Sequence, residues 1–169
     1  CFMARLINGK RMRCVTVDES QIEMRVAAHE SRAAKMIEIL SLPEYVDGKK
    51  NKLADLHIRT AMAVFKLEPG AVHELTHRYP MKRTGFGILY GITADGLVVQ
   101  LNAPYAQDPE HPHTWDEGEA QRLIDNWYGV YPEVLAMQDL DRWRMRHFGM
   151  TWDMWGRHRW IPEVKSGLP

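Results

Sequence analysis

The chain contains only two cysteines, Cys1 and Cys14, and they do not form a Cys-x-x-Cys pair. This scarcity argues against a disulfide framework or a zinc ribbon and predicts a reducing, intracellular (cytoplasmic) compartment. No run of about 18 apolar residues occurs, so the sequence predicts no membrane-spanning helix. A signal peptide or transit segment is not visible either. The formal net charge is +0, which argues against a uniformly basic coat for nucleic acid.

Internal repeats and low-complexity tracts are also missing. The 169 residues, of which 45% are hydrophobic and 26% charged, have the composition of an ordinary globular protein. That length is enough to bury a core, so we expect one domain or two lobes of one. Because the chain begins with Cys1 rather than methionine, we expect either a fragment or a processed product.

The two ends of the chain carry strand signals. Asn8-Gly9 lies between β-compatible runs at 2–7 and 11–17, and this dipeptide is a strong hairpin signal because both residues accept a positive φ. Residues 150–162 indicate two short strands around Gly156. Helical patterns dominate between the ends. The fold class we expect is therefore α/β (α+β), with a mainly helical lobe inserted into part of a sheet.

The helical patterns have readable limits. Ser20 is expected to cap a helix that continues to Pro43, Asp55 to cap a short helix through Phe65, and Pro132 to begin a helix that runs to Gly149. A further amphipathic helix is predicted around 120–128, and polar loops are predicted at 47–52 and 102–115. In the first helix, apolar residues at helical spacing indicate the core face: Ile22, Val26, Ala33, Ile37 and Leu40.

The segment 75–94 contains no acidic residue, and it carries Arg78, Lys82, Phe86 and Tyr90 at steps of four. On a helix, with Thr76 as its cap, such steps stay on one face, about 18 Å long. Two cations near a helix N-terminus suit a polyphosphate, and two rings suit a base and sugar. Its glycines remove side chains beside the rings, so that a flat ligand fits close to them. The alternative is a core helix with both rings buried and Lys82 extended to solvent.

Two places in the sequence are candidate cation sites: the carboxylate of Asp18 and the histidine pair His111 and His113. Asp18 follows a β-branched run, where a carboxylate at a strand end can hold a hard cation such as Mg²⁺, or can simply cap the next helix. Glu23, about one turn later, faces the same cleft or solvent. His111 and His113 suggest zinc, but no partner pair at metal-ligand spacing accompanies them.

Several stretches resemble A-family DNA polymerases, in the family's order. "VDESQIEMRVAAHES" is similar to the first polymerase motif, DYSQIELR followed by AHLS, and "RYPMKRTGFGILYG" is similar to the second, R-x-x-x-K-x-x-x-F-G-x-x-Y-G. "DLHIRTAMAVF" resembles the family's DIHxxTAxxVF. "EAQRLIDNWYGVYPEV" and "GRHRWIPEVKS" resemble later family stretches. The resemblance covers almost the whole chain and implies part of the right-hand polymerase fold, with palm segment 1–24, fingers 25–135 and a return toward the palm at 136–169.

The resemblance implies template-directed DNA synthesis with two Mg²⁺ ions. By that resemblance Asp18 and the backbone carbonyl of Glu19 bind metal, and Asp18 and Lys82 are catalytic, with Lys82 donating a proton to pyrophosphate. Arg78 and His57 contact the triphosphate.

The remaining implied roles concern the deoxynucleotide and the template. Gln21 lines the phosphate side, Glu23 lies under the sugar C2′ and rejects ribonucleotides, and Phe86 packs on the sugar and base. Tyr90 lies by the templating pair as well as the nucleotide. Gly91 gives the template room, and Arg157 contacts the template backbone.

The sequence departs from the family pattern at three places and lacks a third motif. Glu19 replaces a Tyr, Gly85 replaces an Asn, and Arg32-Ala33 stand where Gly-Asp is common. No His-Asp-Glu run, which supplies the second metal-binding carboxylate, occurs in the chain. We therefore expect little activity from this chain alone.

The implied partners are primer-template DNA, dNTPs and the remainder of the polymerase, namely the thumb and the palm segment with the third motif, and no membrane. Two alternatives stay open at this point. One is a non-catalytic fragment that binds nucleotide or nucleic acid, and the other is a relative of single-subunit RNA polymerases.

Overall fold

The computed structural model of the protein describes residues 6–7, 10–11, 19–104 and 114–165. Short antiparallel hairpins and helices make up this part of the chain. The strands are β1 (Leu6–Ile7), β2 (Lys10–Arg11), β3 (Tyr45–Val46), β4 (Lys49–Lys50), β5 (Met150–Trp152) and β6 (His158–Trp160). The helices are α1 (Ile22–Ser31), α2 (Ala34–Leu40), α3 (Leu56–Phe65), α4 (Tyr79–Leu89), α5 (Ala94–Asn102), α6 (Glu117–Val130), α7 (Pro132–Phe148) and α8 (Pro162–Lys165).

The hairpins predicted at both ends are present. β1 pairs with β2 across Asn8-Gly9, with Ile7 opposite Lys10. β5 pairs with β6, with Trp152 opposite His158. Residues 45–50 form a further hairpin, in a segment for which the sequence predicts a polar loop. There β3 and β4 pair across Asp47-Gly48, whose φ angles of 50° and 72° form a tight turn. The predicted mainly helical fold with small sheets is thus confirmed.

The long helix predicted from Ser20 to Pro43 is wrong in two respects. It is interrupted at Arg32, whose φ of 55° is left-handed, so that α1 and α2 are separate helices. Its N-terminal boundary residue is Gln21, also left-handed, and not Ser20. The spacing of apolar residues does not reveal a residue with a positive φ, because the spacing depends on residue types and not on the backbone conformation at one position.

The predicted core face of this region is also wrong in part. Ala33 and Leu40 are buried, but Ile22, Val26 and Ile37 are exposed, because the core takes the neighbouring face of each helix. The residues of α1 and α2 that enter the core are Met24, Ala27, Ala28, Met36, Ile39 and Leu40.

The helices surround one apolar core. Its largest buried side chains come from six helices and the turn before α7, and they include Trp127, Tyr131, Met24, Met36, Leu56, Met81, Ile88 and Leu97. Burial of such side chains contributes about 1.5–3 kcal/mol each. α4 packs on α3, α5 and α6, while α1 packs on α2 and α7. α4 is therefore held by contacts with three other helices of the lobe.

The boundaries of the later helices follow local signals. Asp55 accepts hydrogen bonds from the N–H groups of His57 and Ile58 and so caps α3, as expected. Asp116 and Glu119 form a capping box at the start of α6. Pro132 begins α7, and Gly149 ends it with a φ of 69°.

Arg78, Lys82, Phe86 and Tyr90 are called the four-step line below. The helix that carries this line begins earlier than predicted. A turn of π-helix at Glu74–Arg78 leads into α4, so Thr76 lies inside this turn and does not cap a helix. Pro80 is the second residue of α4 and directly follows this π-helical turn. At the other end, Gly91 has a φ of 73°, and Ile92 donates its N–H to the Gly87 carbonyl, which closes a Schellman motif.

None of the helices in the described part of the chain combines the length and the apolar composition that crossing a bilayer requires.

Candidate nucleotide-binding site

A cleft of about 430 Å³ lies between the start of α1, the β3–β4 hairpin, the start of α3 and the exposed side of α4. Most of the residues predicted to contact metal or nucleotide line this single cleft. They are Glu19, Gln21, Glu23, His57, Arg78, Lys82 and Phe86. They come from three segments separated in sequence, so the fold and not local spacing brings them together.

The two cations of the four-step line are in different states. The Lys82 side chain is exposed and borders the cleft. Arg78 is partly buried and held by Asp55, whose Oδ2 accepts hydrogen bonds from Nε at 3.0 Å and Nη2 at 2.8 Å. Its Nη1 donates to Glu74 Oε1 at 2.6 Å. Arg78 is thus pre-oriented, whereas Lys82 is free to approach a ligand.

Burial and charge shape the acid–base properties of this corner. Burial disfavours ionisation of Asp55, but the hydrogen bonds and charge of Arg78 outweigh it and lower the pKa of this carboxyl below its usual value. His57 is only 4% exposed. Burial, aided by the nearby positive charges of Arg78 and Lys82, lowers the His57 pKa to about 4 against the opposing charge of Asp55. The imidazole is therefore neutral at pH 7.

The two rings of the line are not core side chains. Phe86 is only half-buried and lies 5.5 Å from the His57 ring between centroids. Tyr90 is 77% exposed. The alternative of a helix with both rings buried is therefore wrong, and the line is an open ridge of two cations and two aromatic rings.

The glycines beside the rings serve protein packing more than ligand access, contrary to the expectation from sequence. A Cβ at Gly85 would lie 3.1 Å from Trp127 Nε1 and 3.3 Å from Met24 Cε. A Cβ at Gly87 would lie 2.6 Å from Ile92 Cγ2. Neighbouring side chains thus fill both gaps, and the Asn common in the family at position 85 has no space here. Of the three glycines beside the rings, Gly91 alone borders open space.

Gln21 and Glu23 approach the cleft from the start of α1. Gln21 has a φ of 55°, and its buried Oε1 has no hydrogen-bond partner within the described ranges. Buried acceptors are normally satisfied, so this oxygen is available to a donor in the cleft. Glu23 also borders a second cleft on its other side.

The second cleft, of about 660 Å³, is lined by two of the three residues predicted to contact template, Tyr90 and Arg157. The exposed apolar side chains of Ile22 and Val26 line the same cleft. Gly91 follows Tyr90 at the end of α4 but does not line the cleft. Arg157 donates from Nε to Asp153 Oδ2 at 2.6 Å, and its guanidinium lies 5.1 Å from the Trp155 ring centroid. This cleft accounts for the unexpected exposure of Ile22 and Val26.

The predicted metal ligands are only partly within view. Asp18 lies outside the described residues, so its place relative to Lys82 stays a prediction. Glu19 is exposed and borders the nucleotide cleft. Across residues 19–104 and 114–165, no group of three carboxylate, imidazole or thiolate side chains converges in a way that could hold a metal ion. The described residues do not form a metal site by themselves. The zinc candidates His111 and His113 also lie outside the described residues.

Sequence reasoning missed several residues of the site. Asp55 was recognised as a cap, but its second oxygen holds Arg78, which is 23 positions away. Glu74, as the second partner of Arg78, was not singled out. Lys50 and Asn51 reach the cleft from the unpredicted hairpin. The Asp-Gly dipeptide at 47–48 is the one signal that could have identified this hairpin.

Comparison with solved structures places this lobe in a known architecture. The polymerase domain of Pol1 from M. smegmatis, solved in complex with DNA primer-template and dNTP, is similar to it with a TM-score of 0.64 and 30% sequence identity. The similarity covers 87% of this chain and 22% of the other. The fold is therefore that of part of a polymerase domain.

Comparison of sequences gives the family. The pattern of DNA polymerase family A matches residues 2–168, and the chain belongs to that family. It is 31% identical over 152 residues to the thermostable DNA polymerase I of Thermus thermophilus and 29% identical over 152 residues to DNA polymerase I of Pseudomonas aeruginosa. Each match covers 90% of this chain, but only 16% and 14% of the respective relative. The chain thus spans about a sixth of the length of these relatives.

Proposed function

We propose that this chain is the nucleotide-binding portion of a DNA-directed DNA polymerase. The reaction joins the primer 3′-oxygen to the α-phosphorus of a dNTP, and pyrophosphate leaves. One observation carries the proposal: seven of the nine residues that the family resemblance assigns to metal or dNTP line one cleft. The M. smegmatis structure, which contains primer-template and dNTP, supports the same partners.

The roles of the phosphate-binding residues follow from their states in the cleft. Arg78, fixed by Asp55, presents a permanent positive charge. Lys82 is exposed, so it can follow the triphosphate and donate a proton to the departing pyrophosphate. Neutral His57 can donate a ring N–H to a phosphate oxygen, but it adds no charge at pH 7.

The sugar and base are assigned to the other end of the cleft. Phe86, supported by the His57 ring, offers a flat apolar surface to the deoxyribose and base. Glu23 is assigned to the region of C2′, where a carboxylate disfavours a 2′-hydroxyl, and Gln21 to the phosphate side. Tyr90, which the resemblance assigns to both the nucleotide and the templating pair, lines the second cleft and not the nucleotide cleft. That second cleft, with Gly91 at the end of α4 and Arg157 on its wall, is assigned to template DNA.

The proposed metal chemistry depends on residues beyond the described cleft. Asp18 and the carbonyl of Glu19 would hold Mg²⁺ together with a carboxylate of the kind found in the family's third motif. When bound, the two ions supply activation of the 3′-hydroxyl and neutralise charge on the leaving group. The described residues provide the nucleotide-facing wall, and this is why we expect the chain to bind dNTP but to catalyse little synthesis alone. The thumb and the third-motif palm segment are the missing partners.

The division into palm 1–24, fingers 25–135 and return 136–169 also remains part of the proposal. Both internal boundaries fall inside continuous helices, α1 and α7.

A binding experiment tests the nucleotide assignment on the chain as it is. We expect the protein to bind Mg²⁺-dATP in isothermal titration calorimetry and the Lys82→Ala variant to bind about tenfold more weakly, since a charge-assisted contact to phosphate is lost. Deoxyadenosine, which has no phosphates, should bind the two proteins equally. Lys35→Ala is the matched control, because Lys35 is an exposed helical lysine that borders a different surface of the molecule. Equal loss in the two variants, or no dATP binding by the unchanged chain, would refute the assignment.

A second experiment tests polymerase function. The chain joined to a C-terminal segment that carries the missing carboxylates should extend a primed template with dNTPs, and Glu23→Ala should admit ribonucleotides. Persistent inactivity of the joined protein, with dATP binding intact, would favour a non-catalytic binding fragment. Preferred use of ribonucleotides before any mutation would favour an RNA polymerase relative.

A further inference from the structure

Arg78 is held between two carboxylates with contrasting surroundings. Asp55, 8% exposed, receives two of its N–H groups, and Glu74, whose side chain is 64% exposed, receives a third. Each side chain carries a unit charge at neutral pH, so the trio has a net charge of about −1. A polyphosphate that approaches Arg78 therefore meets two competing anions.

The Asp55 contact is built into the fold. Asp55 Oδ1 accepts the His57 and Ile58 N–H groups at 3.0 and 3.2 Å, so the start of α3 fixes the carboxylate plane. Oδ2 of the same carboxylate then fixes the edge of the guanidinium formed by Nε and Nη2. If ligand binding broke this partly buried ion pair, the Asp55 carboxylate would be left without a compensating charge. We therefore expect the Asp55–Arg78 pair to persist when a ligand binds.

The Glu74 contact has no such support. Glu74 belongs to the π-helical turn before α4, and among the described residues its carboxylate has Arg78 Nη1 as its one hydrogen-bond partner. An ion pair with one largely exposed partner and no further support contributes little to stability. A phosphate oxygen with a larger negative charge can therefore replace this carboxylate at Nη1 at small cost.

We propose that Asp55 is the positioning residue for Arg78 and that Glu74 is the carboxylate which a bound triphosphate displaces. This inference deepens the nucleotide-binding function proposed above and rests on it. Glu74 thereby acts as an internal competitor that weakens nucleotide affinity and eases release. Asp55, in contrast, keeps the guanidinium in the orientation that the phosphate needs.

The test uses inorganic tripolyphosphate and Mg²⁺-dATP as probes, with the 169-residue chain and calorimetric titration. We expect Glu74→Gln to bind both probes about threefold more tightly, because loss of a weak exposed competitor is worth less than a factor of ten. Glu68→Gln is the matched control. Glu68 is exposed and lies in the same connecting segment, and its substitution removes the same charge without affecting a contact of Arg78. Its affinity should match that of the unchanged chain.

Asp55→Asn tests the positioning role without removing the helix cap, because Asn caps helices as well as Asp does. We expect at least tenfold weaker binding of tripolyphosphate with an unchanged far-ultraviolet circular dichroism spectrum. A spectroscopic readout separates positioning from general stability. In ¹⁵N NMR, the Arg78 Nε–H signal, identified by its loss in Arg78→Lys, should remain in place when tripolyphosphate binds and should move in Asp55→Asn.

The outcomes separate this inference from the function on which it rests. If the unchanged chain binds the probes but Glu74→Gln binds them no more tightly than Glu68→Gln does, Glu74 is not displaced by the ligand. The nucleotide assignment is unaffected by that result. Movement of the Arg78 Nε–H signal on ligand binding overturns the positioning role of Asp55. No binding of either probe by the unchanged chain or by Glu74→Gln overturns both the inference and the nucleotide assignment. If Asp55→Asn fails to fold, the Glu74→Gln comparison and the NMR signal of the unchanged chain still decide.

Discussion

Gly85 lies against Trp127, so closely that a Cβ on the glycine would be 3.1 Å from the indole Nε1. Trp127 is almost completely buried in the core of the lobe. The side chain missing from α4 at this position is therefore replaced by an indole from α6. This contact ties the nucleotide-facing helix to the core.

Gly85→Ala should destabilise the protein by about 1 kcal/mol, because crowding of the indole outweighs the gain in helix propensity. Gly129→Ala in α6 is the control, since a Cβ there meets nothing within 4 Å. It should raise stability by up to about 1 kcal/mol. Urea unfolding measures both, and in a Trp127→Phe background Gly85→Ala should become favourable. Equal stabilisation by the two Ala variants in the unchanged background would contradict the contact.

Arg32→Gly should stabilise the protein by about 1 kcal/mol. Arg32 has a φ of 55° at the end of α1, where a Cβ is strained and glycine is not. Glu30→Gly, two residues earlier and still helical, should destabilise by about 1 kcal/mol. Thermal unfolding distinguishes the two variants, and a loss of stability in both would mean that Arg32 makes contacts worth more than its strain.

The protein should lose stability as the pH falls from about 6.5 to 4. His57 has a pKa of about 4 in the fold and 6.5 as a free side chain, so in this window only the unfolded chain takes up its proton. The full difference corresponds to about 3 kcal/mol at most. Asp55, whose pKa is also lowered, acts at lower pH, below its usual value of 3.8.

The measurement is the free energy of unfolding in urea at pH 7, 5.5 and 4.5, compared between the protein and His57→Gln. We expect the variant to be less stable at pH 7 but to show a flatter dependence on pH. Parallel pH profiles would mean that His57 titrates normally in the folded protein.

Thr60→Val should be more harmful than Tyr131→Phe. The buried Tyr131 hydroxyl lies 2.8 Å from Thr60 Oγ1, which itself donates to the Leu56 carbonyl at 2.7 Å. Loss of the Thr60 hydroxyl leaves the buried phenol without this partner, which costs about 1–3 kcal/mol, whereas loss of the phenol oxygen leaves Thr60 satisfied. Chemical denaturation of both variants and of the double variant tests this order. Equal losses would indicate that another group satisfies the phenol.

Local signals in the sequence were sufficient for several elements of the fold. Asp55 caps α3, Pro132 and Gly149 bound α7, and Asn8-Gly9 is followed by the returning strand of a hairpin. Each of these features depends on residues within a few positions of one another. Asp47-Gly48 is a similar signal, but its strands have only two residues each and β4 consists of two lysines, so the flanking sequence does not indicate strands.

The break at Arg32 and the burial of α1 could not be predicted in the same way. A non-glycine residue in left-handed conformation leaves no pattern in the sequence, because it is stabilised by surrounding contacts and not by its own preference. The exposure of Ile22 and Val26 depends on the second cleft, which forms only when α4, α7 and the β5–β6 hairpin meet.

The sequence by itself determined the family, the order of the motifs and the cationic-then-aromatic line of α4, because these are properties of residue type and spacing along one chain. The tertiary structure alone decided which carboxylates hold Arg78, which side chains fill the gaps at Gly85 and Gly87, and that His57 is buried and neutral. The contacts of Arg78, Gly85 and Gly87 join residues between 4 and 61 positions apart. Electrostatics and packing act through space, so residue spacing along the chain does not contain them.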